Sequence, residues 1–208
     1  MPAALQVVND PRQAATLLDP ERRALLENLD PPDSASGLAR RLGMSRQIVN
    51  YHLKELEKAG LIGLAEERRK GNCTERVMQR TAVSYVIDPG VLGTLGADPA
   101  TVADKLSAAY LVAVAARTIK DVSGLSRAAE QSRKILPTLT LETEIRFRSA
   151  PERNAFVHEF AAMLSGLVTR YHAAATPSAR TFRFTVAAYP APHRKEKSNG
   201  PQPQNSRT

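Results

Sequence analysis

The amino-acid sequence predicts an α+β chain: a helical N-terminal domain closed by a β-hairpin, followed by a domain of helix-strand-helix-strand order. Three observations carry this expectation. Apolar residues recur at helical spacing from residue 11 to 59, and β-branched and aromatic residues then fill two runs on either side of Lys70-Gly71-Asn72. A stretch punctuated by glycine and proline, DPGVLGTLGADP at 88–99, separates these runs from an alanine-rich second half. The expected division is therefore a first domain at 1–90, a second at 99–189 and a disordered basic tail at 190–208, which has almost nothing to bury.

Two short helices are expected at 11–18 and 20–28, because each begins with proline after an aspartate that caps the first turn. Leu17, Leu18, Leu25, Leu26 and Leu29 supply their apolar faces, and Pro31 and Pro32 end the run by lacking an N–H. Ser34 caps a helix over 35–42 with Leu38, Ala39 and Leu42 inward, and Gly43 stops it. Ser45 caps a longer helix that runs to Ala59, with Gly60 in the left-handed position beyond its end. Strands follow at 61–69 and 74–86, joined by a basic tip.

In the second half, 100–129 reads as an alanine-rich helix. At 138–148, Leu139, Leu141, Ile145 and Phe147 alternate with Thr140, Glu142, Glu144 and Arg146, the pattern of a half-buried strand. An amphipathic helix over 151–174 turns Phe156, Phe160, Met163, Leu164, Leu167 and Tyr171 inward, and a last strand spans 181–189.

Within 34–60 the spacing fits a helix-turn-helix. Ala39 is small where a second helix crosses, Gly43 four residues later takes the turn, and Val49 six further on plugs the space between the helices. With the hairpin behind it, this is a winged helix-turn-helix. Val49, Leu53 and Leu56 form the buried stripe of the second helix, which turns hydrogen-bonding side chains to the other side. The expected reading helix contributes Ser45, Arg46, Gln47, Asn50, Tyr51, Lys54 and Lys58. Arg46 and Gln47 sit best for base edges, and Lys54 and Lys58 for phosphate. Arg68, Arg69, Lys70 and Asn72 form the expected wing, suited to the backbone or minor groove.

Charge follows the same map. Residues 1–39 carry 3 basic and 6 acidic side chains, whereas 40–80 carry 10 basic and 5 acidic, so the net charge of +8 is densest where the reading helix and wing lie. The bulk charge alone would suit any cation-rich surface. Double-stranded DNA is the partner this distribution favours.

The run LLDPERRALLENLDPPDSASGLARRLGMSRQIVNYHLKELEKAGLI resembles the winged-helix domain of ArsR-type bacterial regulators, and EERRKGNCTER resembles their wing. The resemblance covers about residues 10–88. It implies a homodimer on a palindromic operator, usually a repressor released by a signal, with the helix beginning at Ser45 as the reader. Metal-sensing members carry a Cys-x-Cys pair near that helix, but the stretch 54–60 contains no cysteine. Cys73 is the only cysteine, which excludes an intrachain disulfide and a multi-thiolate metal site, and the four histidines show no ligand spacing. No cofactor or metal is expected.

The helix around 106–119 is apolar on most of its circumference, which suits dimerisation, and its longest uncharged stretch is too short for a bilayer. The first ten residues lack a secretory pattern, so the expected location is cytoplasmic. Phe147, Phe156, Phe160, Met163, Tyr171 and Phe184 are candidates to line a pocket for an apolar small-molecule effector. No carboxylate pair, activated nucleophile or phosphate-cradling loop is visible, so an enzyme is not expected. Two alternatives stay open at this point: a winged-helix protein-interaction module, and a ligand-binding protein without specific DNA binding.

Overall fold

The computed structural model describes residues 1–70, 73–172 and 179–192, with backbone alone at Lys70 and Cys73. The chain is α+β and divides into two compact units, Met1–Pro137 and Thr138–Thr208.

The first unit begins with strand β1 (Ala3–Val8), then α1 (Pro11–Leu18) and α2 (Pro20–Glu27). Each helix starts as its sequence dictates. The Asp10 carboxylate accepts from the amides of Arg12 and Gln13 at 2.7 and 3.1 Å, and Asp19 accepts from those of Glu21 and Arg22 at 3.0 Å. Those amide bonds hold the Asp19 carboxyl below its ordinary pKa, the Arg22 amide contributing most. A two-residue strand β2 (Asp33–Ser34) leads into α3 (Ala35–Leu42), and α4 (Arg46–Lys58) follows Gly43, whose φ of 65° is a left-handed value that favours glycine. Leu25, Leu29, Leu38, Val49, Leu56 and Leu61 are fully buried between α2, α3, α4 and the hairpin.

Strands β3 (Ile62–Lys70) and β4 (Cys73–Arg80) pair antiparallel, and β2 adds to the far edge of β4, giving the order β2-β4-β3. The expected single strand at 74–86 is two strands. It breaks at Thr81, and β5 (Ala82–Ile87) leaves the hairpin to pair in parallel with β1. Thr81 marks the switch: its amide donates to Leu61 O at 3.1 Å in one direction, and its carbonyl accepts from the Ala3 amide at 2.8 Å in the other. The N-terminal ten residues, where no element was expected, supply β1. A parallel partner far away in sequence leaves no local sign.

The stretch 88–99, expected as a domain boundary, carries instead 3-10 helical segments, Pro89–Leu95 with a kink at Gly93 and Pro99–Thr101, packed against α5 (Ala108–Gln131). Asp88, almost wholly buried, accepts from the Gly90 amide at 2.8 Å and from Ser123 Oγ of α5 at 3.0 Å. The compact division consequently falls after Pro137 rather than at 88–99. Helix α5 also begins later than expected, at a Ser107 cap.

In the second unit α6 (Ala150–Tyr171) forms where a helix was expected, capped by Ser149, but none of its residues is buried. The two strands expected at 138–148 and 181–189 do not form. Both segments lack regular structure, and Leu141 and Phe184 are 87% and 74% exposed. Alternation marks a face; a strand also needs a hydrogen-bonded neighbour, and among the described residues neither segment has one. Residues 193–208, most of the expected tail, lie outside the described residues.

Candidate nucleic-acid interface

The face of α4 opposite the core is set by its own periodicity. Val49, Leu53 and Leu56 point inward, so Ser45, Arg46, Gln47, Asn50, Tyr51, Lys54 and Lys58 are all exposed. Ser45 spends its hydroxyl on the cap, accepting from the Ile48 amide at 3.2 Å. Arg46, Asn50 and Lys54 recur every fourth residue and form one wall of a concavity. The start of α3, at Ala35 and Ser36, Leu53 and Glu57 of α4, and the β4 residues Thr74, Glu75, Arg76 and Met78 form the rest.

The wing is tied to the helices at two points. Arg76 donates bidentately to Glu57 of α4 at 2.7 and 3.1 Å, and Ser34, the cap of α3, donates to Glu75 at 2.8 Å. The Arg76 hydrogen bonds, aided by its charge and opposed by burial, hold the Glu57 carboxyl below its ordinary pKa, and the same contact raises Arg76. A lowered folded pKa stabilises the fold above the ordinary glutamate range, and that contribution is lost as pH falls through the folded value. Glu57→Gln is therefore expected to cost under about 1 kcal/mol near neutrality, the limit for a half-exposed pair. Thermal melting in strong acid should show no difference between variant and parent.

Pairing thins the cationic surface that the sequence counts. Arg41 bonds Asp33 and the Asn28 carbonyl, Arg80 bonds Asp30, Lys58 bonds Glu55, and Arg68 bonds Glu66. Lys58, expected to reach phosphate, thus has a carboxylate 2.8 Å from its ammonium. Arg40, Arg46, Lys54 and Arg69 are exposed and make no ion pair among the described residues. Of the expected wing residues, the side chain of Lys70 and all of Asn72 lie outside the described residues.

Two tethers of α4 escape sequence reasoning. His52, on the buried side, places Nε2 2.6 Å from Glu21 of α2 and fixes those helices together. Gln13 of α1 donates to the Ala59 carbonyl at 2.6 Å, satisfying a group at the end of α4. Neither pair has a spacing that could have announced it.

Of the residues expected to line a pocket in the second unit, Phe147, Phe156 and Phe160 form an aromatic row with centroids 5.4 and 6.2 Å apart, while Met163, Tyr171 and Phe184 remain mostly exposed. Among the described residues no three His, Cys, Asp or Glu side chains gather at one point. No helix among them is long and apolar enough to cross a membrane.

Residues 17–63 match a family described as a helix-turn-helix domain, so the chain carries that domain there. No curated protein matches the chain. Among solved structures it is similar to fragment 1-100 of a possible transcriptional regulatory protein from Mycobacterium bovis. That likeness has 22% identity over 34% of this chain and 72% of the other, with a TM-score of 0.29. It is also similar to a MarR family transcription regulator, with 17% identity over 79% and 82% of the two chains and a TM-score of 0.26.

Proposed function

We propose that the helix-turn-helix domain reads DNA through α4, and that the chain is a winged-helix transcriptional regulator of ArsR type. In this reading it acts in the cytoplasm as a homodimer on an inverted repeat, repressing by occupying the promoter. The observation that carries it is the exposed α4 stripe of Arg46, Asn50 and Lys54 beside Gln47 and Tyr51, mounted on a helix whose other face is core. Donors and acceptors at the N-terminal half of such a helix suit base edges in the major groove. Arg69 of the wing adds a cation suited to phosphate. The reading keeps a small-molecule signal sensed by the second unit, with Phe147, Phe156, Phe160, Met163, Tyr171 and Phe184 as its candidate contacts, and it involves no catalysis.

The test is binding to duplexes selected from a random pool. Arg46→Ala and Gln47→Ala are each expected to lose about 1–3 kcal/mol of discrimination at one base position. Lys54→Ala should weaken all sequences alike and reduce the salt slope by about 1. Equal affinity for every duplex at moderate salt would overturn the reading. A second reading, a winged-helix module that binds an acidic protein, is favoured by Ile48 and Tyr51, both exposed on the face of α4. It predicts that no duplex is selected at all.

A further inference from the structure

Helix α4 ends in a left-handed turn at Gly60, φ 67°, closed by bonds from the Gly60 amide to Glu57 O at 2.9 Å and from the Leu61 amide to Leu56 O at 3.0 Å. The carbonyls of Gly60 and Leu61 fall outside the helix ladder, and side chains next to or within the β1–β5 sheet reach both. Leu61 O accepts from the Thr81 amide at 3.1 Å and from the Tyr85 hydroxyl at 2.9 Å, which fills its two lone pairs. Gly60 O accepts from Gln6 Nε2 at 3.4 Å.

Thr81 has one hydroxyl hydrogen and three acceptors in reach: Gln6 Oε1 at 2.7 Å, Leu61 O at 3.0 Å and Gly60 O at 3.1 Å. With Leu61 O already filled, the shortest contact takes the hydrogen. Thr81 thus donates to Gln6 Oε1, which turns the Gln6 amide so that its NH2 faces Gly60 O. The three side chains work as one set: Thr81 orients Gln6, Gln6 holds Gly60, and Tyr85 holds Leu61. All three are half-buried. They stand on β1, at the bend after β4 and on β5, far in sequence from the turn they hold, and none belongs to the outward face of α4.

The core packs the inner side of α4, but apolar burial has no direction, whereas the bonds at Gly60 and Leu61 do. Helix α4 has 13 residues and so is about 20 Å long, and a rotation of about 10° at the turn shifts its Arg46 end by roughly 3 Å. Binding groups have to be held to within about 0.5 Å and 10–20° of their working geometry. Bidentate bonds to base edges are lost under such a shift, while the attraction of Lys54 for phosphate, which carries no sequence information, survives it. We propose that Gln6, Thr81 and Tyr85 are positioning residues for DNA reading, which fix the pitch of α4 against the β1–β5 sheet and thereby set base discrimination rather than overall affinity. The proposal rests on the DNA-binding reading above and adds to it residues that touch no DNA.

The test measures, on the full chain, the ratio of affinity for a selected duplex to affinity for a random one. Partial unfolding lowers both affinities alike, so a variant that is merely destabilised leaves this ratio unchanged. Thr81→Val, which keeps the shape and removes the hydroxyl, and Tyr85→Phe are each expected to lower the ratio about 10-fold, the loss of one good base contact. Thr81→Ser, which keeps the hydroxyl, should restore it. A second readout needs no DNA: in a Cys73→Ser chain, which lacks its only cysteine, spin labels at Gln47→Cys and Val83→Cys, both exposed, report the distance from the far end of α4 to β5. Its distribution should broaden or shift when Thr81→Val is added. An unchanged ratio, an unchanged distribution, or a loss that Thr81→Ser fails to restore overturns the proposal. If the parent selects no duplex, the DNA-binding reading falls and the distances decide alone: a broadened or shifted distribution upholds the three residues as what orients α4, and an unchanged one overturns that role.

Discussion

Leu56→Ala is expected to lower the unfolding free energy by about 2–5 kcal/mol in urea denaturation, because a fully buried leucine loses its transfer free energy and leaves a cavity. Leu56 is 0% exposed and lies in one cluster with Leu25, Leu29, Leu38, Val49 and Leu61, so four elements lose a shared contact at once. Its carbonyl also accepts from the Leu61 amide at 3.0 Å, in the turn that reverses the chain from α4 into the wing. Collapse around the cavity would therefore tilt α4 against the hairpin. Tyr51→Ala, five residues back on the exposed face, should stay within about 0.5 kcal/mol of the parent, as surface substitutions do. A small loss at Leu56 together with a large one at Tyr51 would mean that α4 presents the other face to the core.

The second large effect is expected at Asp88. Its carboxyl accepts from the Gly90 amide and from Ser123 Oγ, and its own amide donates to Val8 O at 2.8 Å. One residue thus joins β1, the 3-10 turn and α5. Asp88→Ala removes the acceptor of two hydrogen bonds, from the amide of the exposed Gly90 and from the hydroxyl of the buried Ser123, each worth about 0.5–1.5 kcal/mol. Ser123 has a fallback, since its hydroxyl lies 3.0 Å from the Lys120 carbonyl as well. Asp88→Asn keeps an acceptor for Gly90 and should lose less. Hydrogen exchange is the sharper readout, with amides around Ser123 in α5 and in β1 exchanging faster in the alanine variant. Unchanged exchange there, with stability within 0.5 kcal/mol of the parent on the scale of ordinary surface substitutions, would show that α5 is held independently of this carboxyl.

The parts of the fold legible in the sequence are those whose causes are local. Asp10, Asp19, Ser34 and Ser45 cap helices because each side chain reaches an amide two or three residues on. Gly43 and Gly60 end them with φ values of 65° and 67°. The exposed stripe of α4 follows from where Val49, Leu53 and Leu56 must go. Thr81 was different. It sits in a continuous run of strand-forming residues, and only the arrival of β1 at Ala82 splits that run between two sheets.

The candidate site divides along the same line. Residue types and helical period alone chose Arg46, Gln47, Asn50, Tyr51 and Lys54 as the outward face, since the helix repeat relates every position to the core stripe. Which cations remain available was decided by the tertiary structure, which brings Asp33 to Arg41, Asp30 to Arg80 and Glu57 to Arg76. In the second unit the apolar alternation of 138–148 and 181–189 was plain in the sequence, yet neither segment is a strand. A period says which side of a segment avoids water, whereas a partner depends on where distant chain, or another copy of it, comes to lie.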